Sequence, residues 1–495
     1  MAALVQLVQQ HKARIYFFVF SVLFMFVIWY ATKTYNFLLF GVPLAVIFAY
    51  FSFVNYKWLW YLTIFLMPLS ITDAEFFGKI AGVTFPTDFL AIILLGLLLI
   101  KMISEPGIFA AYRGHPIPIV VGLQLLWLVF AAVPSSMPVV SWKYVVASVW
   151  MIGCFFMMPL LLFKDSKTIF RFLQLIVVAF TLAFGTIMML FLSTGRNPFG
   201  LRFNPGPFFV DHTVFGAFTA MWVPILVLLA FGGEFKNRER WVARAGLLVF
   251  ALALFFSYSR GAWASCVAAL LMLGVVLLGK WARRFLLPVM MLGMLVGTFV
   301  WYANQGTSSG RNKAVSRKNF TEHIASVTNF RTDDSNRERI NRWYCAWQMF
   351  LERPNFGFGP GTYSFQYGNF QKARSRTMVS TNRGDNGTAH NEFLLALSEN
   401  GWPSAVILTF FFAIPFFRGL RGYNLAAKRN TRLLYLACTF GLLTYIIHAF
   451  VNNFMDQDKV GGTFLALMAM ITALDVHYLP KEKGMIQEGV GFKSA

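Results

Sequence analysis

Charge is scarce in this sequence. Asp, Glu, Lys and Arg make up only 13% of its 495 residues, about half the share a soluble chain carries, which excludes a water-soluble globule. Acidic residues are scarcer still, 21 against 43 Lys and Arg, for a net charge of +22. Cysteine is nearly absent. Cys154, Cys266 and Cys438 fall in apolar runs and Cys345 in a polar stretch, so no disulfide framework is expected. The seven histidines are scattered, and His390 and Glu392 lack HExxH spacing, so no metal site is expected. The G-x-S-x-G elbow of a serine hydrolase is missing. Apolar and polar residues do not alternate, which excludes a membrane β-barrel. There is no internal repeat or low-complexity tract.

What is abundant is apolar surface: 57% of residues are hydrophobic and 18% aromatic. They come in blocks near the roughly 20 residues that a helix needs to cross a bilayer. The fold class expected is an all-α polytopic integral membrane protein with about 12–14 transmembrane helices. Fourteen spans can be drawn: 15–32, 36–54, 56–72, 87–104, 117–134, 143–163, 169–193, 213–231, 243–259, 261–279, 284–302, 393–417, 432–451 and 460–479. Lys12 and Arg14 precede the first, but no small-residue cleavage site follows, and Tyr30, Lys33 and Tyr35 suit an interfacial anchor rather than a signal peptide. With a cytoplasmic N-terminus, 23 Lys and Arg fall on inside segments and seven on short outside ones. That bias agrees with the retention of basic residues in cytoplasmic connections. The other 13 lie in the long loop 303–390, against six acidic residues. The loop is thus extracytoplasmic, and basic on a face where topology does not require it. Nucleic acid is not a partner there; membrane lipid and an anionic lipid-linked substrate are.

Within the loop, 304–331 is polar and expected to be irregular. From Asn336 to Leu351, Ile340, Trp343, Trp347, Phe350 and Leu351 recur at helical spacing, and Arg337, Arg339, Arg342 and Gln348 fall on the other face. An amphipathic helix is expected, tryptophans down on the bilayer surface or the bundle top and arginines up, ending at Pro354. Gly357-Phe358-Gly359-Pro360-Gly361 follows. Its glycines can open backbone amides to a phosphate oxygen or simply make a turn. His390, in Thr388-Ala389-His390-Asn391-Glu392, stands where the loop returns to the membrane. An imidazole there suits proton transfer near neutral pH, although a capping histidine would occupy the same place. Arg260, in Ser259-Arg260-Gly261-Ala262-Trp263, lies on the outer face, where the topology rule disfavours arginine. Asp211-His212 lies on the same face, and His448, near Asn452 and Asn453, reads as an interhelical polar contact.

Four motifs occur in order: Ser259-Arg260-Gly261-Ala262-Trp263; Glu338-Arg339-Ile340 with Trp343; Pro354-Asn355-Phe356-Gly357-Phe358-Gly359-Pro360-Gly361; and Ala389-His390-Asn391-Glu392-Phe393-Leu394 with Glu399-Asn400-Gly401. Over residues 200–455 the chain resembles the O-antigen ligase and O-antigen polymerase superfamily of bacterial envelope glycosyltransferases. The resemblance implies transfer of a glycan from an undecaprenyl-diphosphate carrier to an acceptor hydroxyl, inverting, with no metal or cofactor. It implies His390 as general base and Arg260 and Arg339 on the diphosphate, whose leaving charge guanidinium forks stabilise. Arg202, Arg342, Gly359, Gly361 and Asn391 complete the expected substrate-binding set. The acceptor would be a glycan, a lipid A core or a protein. The setting would be the bacterial cytoplasmic (inner) membrane, with the loop facing the periplasm or cell exterior. The expected organisation is N-terminal helices over 1–199, a catalytic region over 200–455 that includes loop 303–390, and a last helix with a polar tail over 456–495. A polymerase of the same mechanism and a small-anion transporter are the alternatives. A transporter, however, should carry mid-membrane charge or broken helices.

Overall fold

The computed structural model describes residues 55–71, 84–193, 203–279, 334–372 and 387–480, with isolated helical positions between 22 and 33 and between 284 and 289. Apart from those isolated positions, spans 15–32, 36–54 and 284–302, the stretch 304–331 and Arg202 lie outside the described residues. The chain divides into two compact units, Met1–Trp60 and Tyr61–Ala495. The first is described over 55–60, helical from Tyr56, and at the isolated positions between 22 and 33.

Among the described residues the structure is helical, without a strand. The helices are α1 (Tyr56–Leu66), α2 (Thr87–Ser104), α3 (Pro116–Ala132), α4 (Pro138–Leu162), α5 (Ser166–Ser193), α6 (His212–Phe231), α7 (Asn237–Phe256), α8 (Arg260–Leu277), α9 (Asp334–Glu352), α10 (Glu392–Leu425), α11 (Arg429–His448) and α12 (Asp458–Tyr478). Eight of them, α2, α4, α5, α6, α8, α10, α11 and α12, are long and apolar enough to cross a membrane. The protein is an all-α, multi-pass membrane protein. The 17-residue α3 is apolar but shorter. Arg238, Glu239, Arg240 and Arg244 give α7 a polar first half. At 56–72 the helix stops at Leu66 and a 3-10 turn holding Pro68 follows.

The core is built on α6, which packs against α7, α8 and α11. Its aromatic side chains Phe215, Phe218 and Trp222 meet Phe180 of α5 and Phe250 of α7. Gly216 lets α8 approach closely, because a Cβ there would press on Ser259 and Ala262.

Two irregularities position the functional region. In α10, Gly401 has φ 76° and ψ −179°, so the helix breaks into 392–400 and 402–425. Trp402 N–H donates to the Pro354 carbonyl there at 2.9 Å. The glycine-rich turn docks against the same break, with Phe358 N–H on the Ser398 carbonyl at 3.0 Å and Gly359 N–H on the Glu399 carbonyl at 2.7 Å. A small core of Cys345, Ala346, Met349, Phe358, Tyr363, Tyr367 and Ala389 then joins α9, this turn and the residue before His390.

Candidate active site

His390 is the residue on which the surrounding elements converge. It precedes α10, whose N-cap is Asn391: the Asn391 Oδ1 accepts from Leu394 N–H and its Nδ2 donates to the Phe450 carbonyl, both at 2.9 Å. Glu392 N–H donates to the Ala449 carbonyl at 2.9 Å. The His390 backbone is therefore pinned to the end of α11. Its φ is 50°, and the other left-handed non-glycine among the described residues is Tyr258 (φ 47°), just before Ser259-Arg260. Such conformations cost on the order of 1–3 kcal/mol and persist where the surroundings hold them.

Three side chains hold the imidazole and its backbone. Arg342 Nη1 lies 3.1 Å from His390 Nε2 and also donates to the Thr388 carbonyl at 3.3 Å. Trp343 Nε1 donates to the His390 carbonyl at 3.2 Å. On the far side, His390 Nδ1 lies 3.1 Å from Asn452 Oδ1, and Asn452 Nδ2 lies 3.0 Å from His448 Nε2. Arginine only donates, so Nε2 accepts and the neutral ring carries its proton on Nδ1, toward Asn452. Burial, with Arg339 and Arg342 nearby, pulls the His390 pKa down to about 4. The ring is neutral at physiological pH, its Nε2 lone pair turned to the arginines.

Arg342 is not on an upturned face of α9, as the helical pattern predicts. The buried side of α9 is Glu338, Arg342, Cys345, Ala346 and Met349, whereas Trp347 is 44% exposed. Glu338 is the reason. Its Oε1 accepts from Arg342 Nε at 3.0 Å, an i,i+4 pair that takes the guanidinium inward. Tyr363 Oη donates to the Arg342 carbonyl at 2.8 Å, and the Tyr367 ring faces the guanidinium. Burial pushes the Cys345 thiol up to about 12, which keeps it a packed, protonated side chain.

Arg339 and Asp211 are both felt electrostatically by His390, so each lies in its surroundings. Asp211 caps α6, accepting from Thr213 and Val214 N–H, while His212 is exposed. Arg260 opens α8. The next residue, Gly261, lies so close to His448 that a Cβ would stand 3.3 Å from His448 Cε1. Thus His390, Arg339, Arg342 and the start of α8 gather at one end of the bundle, where the N-termini of α6, α8 and α10 face the same space.

Gly359 and Gly361 are not part of this gathering. Their amide hydrogens are committed to Glu399: Gly359 N–H to its carbonyl, Gly361 N–H to Oε2 at 2.9 Å, with Tyr363 N–H on Oε1 at 2.8 Å. A Cβ at Gly359 would collide with Ser135 and Ser141. The glycines serve close packing on α4, the turn before it and α10, and their amides are not open to a phosphate. Asn391 is a cap rather than a ligand group. Sequence reasoning missed Asn452 as a partner of His390, 62 positions away, and Glu338 as the residue that turns Arg342; only the clustering of Asn452 with His448 hinted at the former. Among the described residues no group of three His, Cys, Asp or Glu side chains is placed to hold a metal ion.

No curated protein matches the chain. Residues 245–409, which run from α7 into α10 and contain Arg260, Arg339, Arg342 and His390, match the family described as O-Antigen ligase.

Proposed function

We propose that this protein transfers a glycan from an undecaprenyl-diphosphate carrier to an acceptor hydroxyl at the outer face of the bacterial cytoplasmic membrane. The region 200–455 is the catalytic part and His390 Nε2 the general base. The observation that carries the reading is a buried, neutral imidazole of fixed tautomer whose Nε2 lone pair is met by the Arg342 guanidinium. A general base needs the first property and a diphosphate leaving group the second.

The acceptor oxygen attacks the anomeric carbon as its proton passes to Nε2. The bond from that carbon to the phosphate oxygen breaks, and its electron pair leaves on the diphosphate. Attack opposite the leaving group inverts the centre. Arg342 covers Nε2 before substrate arrives. A diphosphate offers its guanidinium stronger, charged acceptors, and Arg342 moves onto the leaving group and uncovers the base. Arg260 and Arg339 join it, and the N-termini of α6, α8 and α10 add positive dipole ends to the same space.

The test is a transfer assay on the purified chain in lipid, with a polyprenyl-diphosphate oligosaccharide and candidate acceptors. Turnover by His390→Ala is expected to fall by about 100-fold or more, with the protein still folded. Turnover equal to wild type would remove His390 from the mechanism. One glycan block per acceptor marks a ligase, and a ladder marks a polymerase of the same chemistry.

A further inference from the structure

A cavity of about 110 Å³ lies beneath the first segment of α10, between it and α3, α4 and α12. One water needs about 10–15 Å³ on this measure, so the space takes something larger. Its walls are mainly apolar but carry Gln124, Tyr144, Ser148, Glu392, Glu399 and Asn400. Asn400 is 6% exposed, yet its Oδ1 bonds to nothing in the protein, and neither does the buried Gln124 Oε1. Glu392 is asymmetric. Tyr445 Oη, Phe454 N–H and Met455 N–H all donate to its Oε1, which leaves Oε2 as the open oxygen. Buried polar groups without partners are uncommon, and each weakens a fold unless something else satisfies it.

From this cavity we infer an acceptor subsite that binds a neutral, hydroxyl-rich sugar ring of the incoming glycan; the inference rests on the transfer reading above. Amide and carboxylate groups serve hydroxyls, which both donate and accept, and Tyr144 offers a flat apolar wall. A directly bound metal ion fits poorly. Glu392 and Glu399 are two helical turns apart, about 10 Å of rise, whereas direct ligand bonds span about 2.0–2.6 Å. Among the described residues no Lys, Arg or His lines the space, so it offers a diphosphate no cationic partner. The cavity adjoins the base through the chain itself. Glu392 follows His390 by two residues, and both are held by residues 449–455, His390 through Asn452 and Glu392 through Ala449, Phe454 and Met455.

Asn400→Leu and Gln124→Met keep size while removing the sugar-facing amides. Neither amide oxygen has a protein partner to lose, so thermal stability is expected to hold or rise. At saturating donor the acceptor KM is expected to rise by roughly tenfold per amide, one hydrogen-bonding group's worth, with the donor KM unmoved. Equilibrium dialysis of lipid-free repeat-unit oligosaccharides against His390→Ala protein reads the same site without turnover. Binding there that is lost on adding Asn400→Leu supports the subsite. Unchanged acceptor KM and unchanged dialysis binding in the cavity variants overturn it, and leave the transfer reading intact if wild type transfers and His390→Ala does not. Oligosaccharide bound through Asn400 by a protein that transfers nothing would overturn the transfer reading and keep the sugar site. A wild-type protein that binds no oligosaccharide overturns the subsite.

Discussion

A histidine at the edge of a membrane is often a cap or a solvated bystander, and what distinguishes His390 is the pair of partners on its two nitrogens. Arg342 fixes Nε2 as the acceptor, and Asn452 takes the proton on Nδ1. Burial and the two arginines hold the pKa near 4, below the usual value of about 6.5. The neutral form is therefore the one present above pH 4, and it is lost only as the pH falls through that value. In the free enzyme, the acid limb of kcat/KM is expected near pH 4, with a plateau from about pH 5.5 upward. Asn452→Asp places a carboxylate against the Nδ1 proton and favours the imidazolium, which moves the limb up by about one to three units. An acid limb that stays put in Asn452→Asp would mean that this contact does not set the base. His390 and Arg339 stand out in the sequence because each sits in a short local motif, whereas the inward turn of Arg342 leaves no such mark. Asn452 was not legible, because a partner 62 residues away leaves no spacing to read. Gly359 and Gly361 were legible as a turn but not as a docked one: the acceptors of their amides belong to Glu399 on another helix.

At the scale of elements, periodicity placed the amphipathic helix at 336–351 and the structure has it at Asp334–Glu352. The face was harder. Hydrophobic pattern alone assigns every arginine outward, whereas Arg342 shares its stripe with Glu338, Cys345 and Met349, and the ion pair makes its burial tolerable. The break in α10 was also hidden, since Gly401-Trp402-Pro403 sits in an apolar run and reads as continuous span. Its necessity is steric. The Gly401 backbone lies in a region that L residues rarely adopt, and a Cβ would meet the Asn355 carbonyl oxygen. Gly401→Ala is thus expected to destabilise the protein by at least about 2 kcal/mol. Because 392–400 also anchors His390, the same change should lower turnover in protein that remains folded. Thermal unfolding and the transfer assay on one preparation check both. Wild-type stability would mean that the break relaxes at little cost, and that the interlock with the glycine turn is not what sets its geometry.

For the whole molecule, the side of the membrane that the site faces decides which substrate can reach it. The sequence speaks to this through charge alone: 23 Lys and Arg on one set of short segments, seven on the other. The helices agree on relative side. The starts of α6, α8 and α10 and the end of α11 lie together at His390, so the start of α7 must lie at the opposite end from the start of α8. Two exposed positions separate the alternatives, Asn369 in the turn after the glycines and Asn237 at the start of α7. The native cysteines Cys154, Cys266, Cys345 and Cys438 are all buried, so a membrane-impermeant maleimide has little to react with in the unaltered protein. In intact cells (spheroplasts where an outer membrane is present), Asn369→Cys is expected to label, and Asn237→Cys only after permeabilisation. The reverse pattern would put His390 and its arginines on the cytoplasmic side, where a glycan already moved across the membrane could not reach them, and the donor would then have to be met before translocation. Labelling of both positions in intact cells would contradict the passage of α7 across the bilayer and leave the polar first half of that helix, with Arg238, Arg240 and Arg244, lying at the surface instead.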